Sequence, residues 1–318
     1  MAVMQYKAEK PFAQKHLLTL QDWTPDEIMQ CLALASELKD KQKNGVPHEI
    51  LKGKHLAMIF TKSSTRTRVS FEVGISQLGG KGLFLSDRDI QIGRGESIHD
   101  TAEVLSRFVD GIMIRTYKHS DVEGLAKYGS IPVINGLTDE FHPCQILADL
   151  LTVYEHLGKL KGLKLAFVGD GFNMAHSLMI GCSKLGIDCA VACPEDYQPK
   201  NEYVKWAEKN AEAAGSKVVV TRSVEEAMTG ADVLYTDVWA SMGQEEESRK
   251  RALAFRDYQV NAENWKLTND GAIFLHCLPA HRGEEVTADI IDGRMSVVFD
   301  EAENRLHAQK AVMALLMK

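Results

Sequence analysis

The chain has 318 residues, 45% of them hydrophobic and 25% charged, with a formal net charge of −7. That length suits two domains of about 150 residues each, and the acidic balance argues against a nucleic-acid-binding surface. No run approaches the ~20 apolar residues of a membrane span, the start (Lys7, Glu9, Lys10) resembles neither a signal peptide nor an arginine-rich transit peptide, and six scattered cysteines without CxxC spacing read as reduced thiols of a cytoplasmic protein.

Thr24-Pro25-Asp26-Glu27 opens the first helix with an N-cap, a proline at the first position and an acid three residues after the cap. Ile28, Cys31, Leu32, Ala35 and Leu38 follow on one face. Short apolar runs at 55–60, 82–85, 111–115 and 132–134 read as buried strands, alternating with helices near 65–78, 98–108 and 119–128. A helix from about Pro143 to His156 closes the first half. The second half repeats the pattern, with strands near 163–168, 188–192, 217–220, 232–236 and 272–276 and helices near 173–185, 201–214 and 246–254. This predicts an α/β protein of two domains, each a parallel sheet flanked by helices, with a ligand cleft between them. The expected domains are 1–145 and 146–300, with a C-terminal helix at about 301–318 packing back on the first.

In parallel α/β sheets ligands bind beyond the C-terminal strand ends, and the polar signals cluster there. Ser64 reads as the N-cap of a helix whose first turn is Thr65, Arg66, Thr67 and Arg68, with Val69 and Val73 on one line and Phe71, Ile75 and Leu78 on the next. Two arginines oppose the positive end of the helix dipole unless an anion binds there. The alternative is a capped surface helix whose arginines pair with carboxylates. Arg115 ends another strand. In Phe141-His142-Pro143-Cys144-Gln145, His142 is either an oxyanion donor or a cap-like hydrogen-bonder, and Gln145 suits an amide edge.

Gly169-Asp170-Gly171 begins like a dinucleotide fingerprint, but Met174 stands at the third glycine position and Phe172-Asn173 would crowd a pyrophosphate, which leaves a polar site led by Asn173. Asp237-Val238-Trp239-Ala240-Ser241-Met242-Gly243 joins an acid at a strand end to a small, bendable loop suited to an ammonium. In His276-Cys277-Leu278-Pro279, Cys277 is either a buried thiol or a site residue, and Leu278-Pro279 offers backbone carbonyls. The eleven histidines lack metal-ligand spacing, so no metal site is expected.

Together SSTRTR at 63–68, FHPCQ at 141–145, DVWASMG at 237–243, HCLP at 276–279 and EAENR at 301–305 resemble the ornithine carbamoyltransferases, in order from about residue 15 onward. STRTR is common to all carbamoyltransferases, whereas the Ser-Met-Gly loop and HCLP point to the ornithine branch. The resemblance implies that Ser64, Thr65, Arg66 and Thr67 hold the phosphate of carbamoyl phosphate. Arg115, His142 and Gln145 would grip the carbamoyl group, and Arg305 would add to the anion site. Gln91, in the long 87–96 loop, would reach the phosphate from a neighbouring subunit of a homotrimer. Asn173, Asp237, Ser241 and Met242 would hold ornithine, with Cys277 and Leu278 lining the reaction centre and Arg115, His142 and Cys277 acting in catalysis. The implied reaction gives citrulline and phosphate without metal or organic cofactor; a related acceptor, putrescine or an acylated ornithine, is the alternative.

Overall fold

In a computed structural model of the protein, residues 3–92, 95–240 and 247–318 are described. The chain divides into two compact units, one formed by Met1–Leu151 with Glu303–Lys318 and the other by Thr152–Ala302.

The first unit is built on four parallel strands, β1 (His55–Phe60), β2 (Lys81–Ser86), β3 (Gly111–Arg115) and β4 (Val133–Leu137), in the order β2-β1-β3-β4. Helices α1 (Pro25–Lys43), α2 (Thr65–Gln77), α3 (Ile98–Leu105) and α4 (His119–Tyr128) accompany them, and α5 (Pro143–Leu157) follows β4. Thr24 caps α1 through the expected reciprocal box with Glu27. The interior strands are apolar and buried because helices cover both sheet faces: every residue of β3, and all of β1 except His55, is buried. One core cluster joins Ile59 and Ile112 to Ala102 on α3 and to Val122 and Leu125 on α4.

The second unit holds five parallel strands, β5 (Lys164–Val168), β6 (Asp188–Ala192), β7 (Val218–Thr221), β8 (Val233–Thr236) and β9 (Ile273–Leu275), in the order β7-β6-β5-β8-β9. Its helices are α6 (Asn173–Lys184), α7 (Asn201–Ala214), α8 (Val224–Met228), α9 (Ser248–Ala254), α10 (Ala262–Trp265) and α11 (Ala288–Ile291). The last helix, α12 (Val298–Leu316), carries the chain from the second unit into the first. The predicted parallel-sheet fold is therefore observed in both units. The short helices α8, α10 and α11 escaped the sequence reading because four or five residues show too little of a 3.6-residue period to register.

Two expectations are corrected. Val69 and Val73 do not pack inward; they are 51% and 39% exposed, and only Phe71, Ile75 and Leu78 of the expected apolar face are buried. Phe84 and Leu83 on the edge strand β2 are likewise exposed. Against its inward side α2 meets α12 closely: a Cβ at Gly74 would lie 3.1 Å from Met313 Cε and 3.2 Å from Lys310 Cγ. Among the described residues no helix is long and apolar enough to cross a membrane.

Candidate active site

In the first unit the C-terminal ends of β1, β3 and β4 bring Ser64, Arg115 and His142 to one edge of the sheet. Ser64 is the N-cap of α2 and its hydroxyl accepts from Thr67 N at 3.2 Å. Thr67 is buried, and its Oγ1 accepts from Arg115 Nη1 at 3.5 Å and from Arg305 Nη2 at 3.4 Å. Arg305, on α12 and 160 residues beyond Gln145 in the sequence, is only 3% exposed, and its Nη1 donates to Gln145 Oε1 at 2.6 Å. Gln145 in turn donates to Asp149 Oδ1 at 2.8 Å one turn along α5.

Three arginines around one helix start make a strongly positive field. Burial, then Arg305, Arg115 and Arg66, hold the His142 imidazole well below its ordinary value of 6.5. His142 is thus a neutral group at physiological pH, able to donate one hydrogen bond without adding a fourth charge. Thr65 and Arg66 are exposed at the open end of α2. A cavity of about 510 Å³ lies beside that end, lined by Ser63, Ser64, Thr65, Arg68, Phe84 and Arg88 among others.

The two arginines of the first turn divide between the alternatives. Arg68 pairs with Glu72 at 3.4 Å and stacks over Phe84, so it follows the ordinary surface pattern. Arg66 is exposed and lies near enough to add to the positive field that lowers the His142 pKa. Gln91 is exposed on its loop, and no contact among the described residues brings it to the cluster.

The sequence reading gave no role to Lys62, which is buried, lies 4.2 Å from the Tyr117 ring centroid and forms an ion pair with Asp139. Burial lowers its pKa while Asp139 opposes the shift. The pair ties the β1–α2 turn to the segment just before His142. A lysine two residues before the STRTR stretch was the available signal.

In the second unit β5, β8 and β9 are neighbours, so the segments that follow them lie side by side. Asn173 is the first residue of α6 and is 6% exposed. Asp237 follows β8; its Oδ1 accepts from Val238 N at 2.8 Å and from Cys277 Sγ at 3.1 Å. Burial pushes the Asp237 carboxyl above its ordinary value, against the opposing pull of His276, Cys277 and the Val238 N–H. Such a carboxylate gains most from a cationic partner. Ser241 and Met242 lie outside the described residues.

The turn bearing Cys277 and Leu278 is held by a buried network that sequence reasoning did not assign. Leu278 has φ +55°, a left-handed conformation that side-chain-bearing residues rarely adopt. Its N–H donates to His276 Nδ1 at 2.9 Å, so the ring proton sits on Nε2, facing Glu285 Oε1 at 3.3 Å. His276 N donates to Glu301 Oε2 at 2.8 Å, and Glu301 Oε1 accepts from Tyr235 Oη at 3.0 Å. His276, Glu285 and Glu301 are all fully buried. Glu301 opens the EAENR stretch, which was the signal available.

Gly171 owes its place to packing and not to a pyrophosphate. A Cβ there would lie 2.4 Å from Pro199 N and 2.5 Å from Tyr197 O, so the chain itself occupies the space beside the turn. Spacing along the sequence did not indicate a metal site, yet the ligand atoms of Asp237, His276 and Cys277 lie within 4.8 Å of one another, as do those of His281, Glu284 and Glu285. The first grouping arises from two adjacent strand ends, which linear spacing does not register, whereas the second is local to the segment after β9.

An arginine cluster at a helix start in one parallel α/β unit and a half-buried acid beside a thiol in the other suit a transferase of two-substrate type. Residues 15–155 match the model described as aspartate/ornithine carbamoyltransferase, carbamoyl-P binding domain, and residues 161–316 match its Asp/Orn binding domain. The chain belongs to the aspartate/ornithine carbamoyltransferase family. It is 61% identical over 303 residues to an ornithine carbamoyltransferase of Carboxydothermus hydrogenoformans, covering 95% of this chain and 97% of that one. It is 57% identical over 305 residues to the anabolic ornithine carbamoyltransferase of Pyrococcus furiosus, covering 96% and 97%. A solved ornithine carbamoyltransferase from Pyrococcus furiosus superposes with a TM-score of 0.94 at 56% identity, over 97% of this chain and 98% of that one. One from Gloeobacter violaceus gives 0.87 at 46% identity, over 97% and 100%.

Proposed function

We propose that this protein transfers the carbamoyl group of carbamoyl phosphate to the side-chain amine of L-ornithine, giving L-citrulline and phosphate. The observation that carries the reading is the convergence of Arg115 and Arg305 on Thr67 at the start of α2, beside a neutral, buried His142. The relatives named above are ornithine carbamoyltransferases, and one is named anabolic, which supports a role in arginine biosynthesis. We assign carbamoyl phosphate to the first unit and ornithine to the second, in keeping with the two matching domain models.

In this assignment Ser64, Thr65, Arg66, Thr67 and Arg305 bind the phosphate through the free N–H groups of α2, hydroxyls and guanidinium forks. Arg115, His142 and Gln145 take the carbamoyl group, with Cys277 and Leu278 at the reaction centre. Asn173, Asp237, Ser241 and Met242 hold the amino-acid end of ornithine.

The chemistry sets what the residues must do. The nucleophile is a neutral amine, and one with a lysine-like pKa of ~10.4 carries a deprotonation cost of roughly 4.6 kcal/mol at pH 7. Cationic neighbours and exclusion of water lower that cost. The amine attacks the carbamoyl carbon, negative charge gathers on its oxygen, and Arg115 and His142 donate to it. Collapse breaks the C–O bond to phosphate, which leaves carrying the amine proton, so no separate protein base is needed. Positioning two substrates contributes up to ~7–11 kcal/mol, more than any single contact.

A homotrimer is proposed on the exposed apolar side chains of Val69, Val73 and Phe84, two of which line the cavity at the start of α2. Gln91 is assigned to the phosphate of a neighbouring subunit. Six free thiols, five of them buried, support a cytoplasmic setting. The deciding experiment is citrulline formation from carbamoyl phosphate with ornithine, compared against aspartate, putrescine and acetylornithine. Faster turnover of any of those three than of ornithine overturns the acceptor assignment.

A further inference from the structure

One buried contact of Arg305 involves a residue that neither the motifs nor the proposed reaction accounts for. Gln309 follows Arg305 by four residues on α12, so both side chains leave the helix on the same face. It is fully buried. A guanidinium only donates, so the Gln309 amide must turn its oxygen toward Arg305. So oriented, Oε1 accepts from Arg305 Nε at 3.2 Å and Nη2 at 2.9 Å, and the amide nitrogen donates to Ser70 Oγ at 2.5 Å. Ser70 Oγ in turn donates to the Arg66 carbonyl at 2.6 Å.

This chain of bonds has a consequence for the anion site. Arg305 is held at its Nη1 by Gln145, at Nη2 by Thr67 and at Nε by Gln309. The last contact also fixes the guanidinium plane relative to the first turn of α2, through Ser70 and the Arg66 carbonyl. The close approach of α12 to α2 at Gly74 is what lets a glutamine span the gap.

We infer that Gln309 is a positioning residue for carbamoyl transfer: it orients Arg305 toward the phosphate and couples that arginine to the helix start that binds the same anion. A long, flexible cation held in one plane before the ligand arrives loses less freedom on binding. The inference rests on the reading of Arg305 as a phosphate ligand.

The test compares the whole enzyme with Gln309→Met, Arg305→Lys and the double variant, measuring KM for each substrate, kcat and thermal midpoint. Gln309→Met keeps the volume but removes all three hydrogen bonds of the amide. It should raise the KM for carbamoyl phosphate about tenfold, the scale of a lost bond to a charged group, and leave the ornithine KM within about twofold. In the Arg305→Lys background, adding Gln309→Met should change little, because its partner geometry is already lost. If Gln309→Met fails to fold, Gln309→Asn withdraws the amide by one methylene and carries the same expectation. An unchanged carbamoyl phosphate KM in the Gln309 variant, or the same increase in both backgrounds, overturns the positioning role. An unchanged carbamoyl phosphate KM in Arg305→Lys alone would instead overturn the assignment of Arg305 to the phosphate.

Discussion

Replacing His142 with alanine probes the electrostatics of the first unit through two independent readouts. His142 is 4% exposed, and burial together with Arg305, Arg115 and Arg66 holds its imidazole well below 6.5. With the folded-state pKa depressed, the unfolded chain binds the proton first as pH falls. The stability owed to neutral His142 is therefore complete above the unfolded pKa and is lost as pH falls from about 6.5 toward the folded value. One proton corresponds to a slope of about 1.4 kcal/mol per pH unit. The alanine variant lacks that slope, and its lost packing adds only a pH-independent offset. Urea unfolding of both proteins at one protein concentration, between about pH 5 and 7.5, should show the stability gap narrowing by up to that amount per unit below about pH 6. In turnover, loss of an oxyanion donor costs ~2.7–4 kcal/mol, a fall in kcat of about 10²–10³. Because the group is neutral throughout, that ratio should stay constant from about pH 6.5 to 9. Parallel stability curves, or a kinetic ionisation near 6.5 that the variant abolishes, would show that His142 is a titrating acid and not a fixed neutral donor.

Arg66→Ala should abolish carbamoyl phosphate binding by calorimetry while leaving the circular dichroism unchanged, since Arg66 is exposed at the helix start; near-normal affinity would sink the phosphate assignment. Asp237→Asn removes the half-buried charge proposed to meet the substrate ammonium, so steady-state kinetics should show a large rise in the ornithine KM with little change for carbamoyl phosphate. Equal effects on both substrates would contradict that role. Gly171→Ala forces a methyl to within 2.4 Å of Pro199 N, and backbone must move to accept it. Its unfolding free energy should drop by about 1–3 kcal/mol, and an unchanged midpoint would refute the packing account of this glycine.

The sequence by itself determined the features that rest on local physics. Apolar runs flanked by caps and glycines marked the strands and long helices, because parallel strands buried on both faces must be continuously apolar and helix ends must satisfy their free N–H groups. The hydroxyls and arginines of residues 64–68 pointed to a candidate anion site for a related reason, since the helix dipole makes arginines there unusual. Tertiary structure decided whatever depends on which elements become neighbours. Val69 and Val73 have the spacing of a buried face, yet only the placement of α2 on its sheet shows that they point outward. Thr67 meets Arg115 and Arg305 across separations of 48 and 238 residues. Asp237 and Cys277 meet because β8 and β9 pair, and Gly171 is explained by the segment folded against it. Gln309 carries no motif at all; its role follows from the close approach of α12 to α2. Such contacts are set by strand order and helix packing, which bring together side chains that no local period or spacing relates.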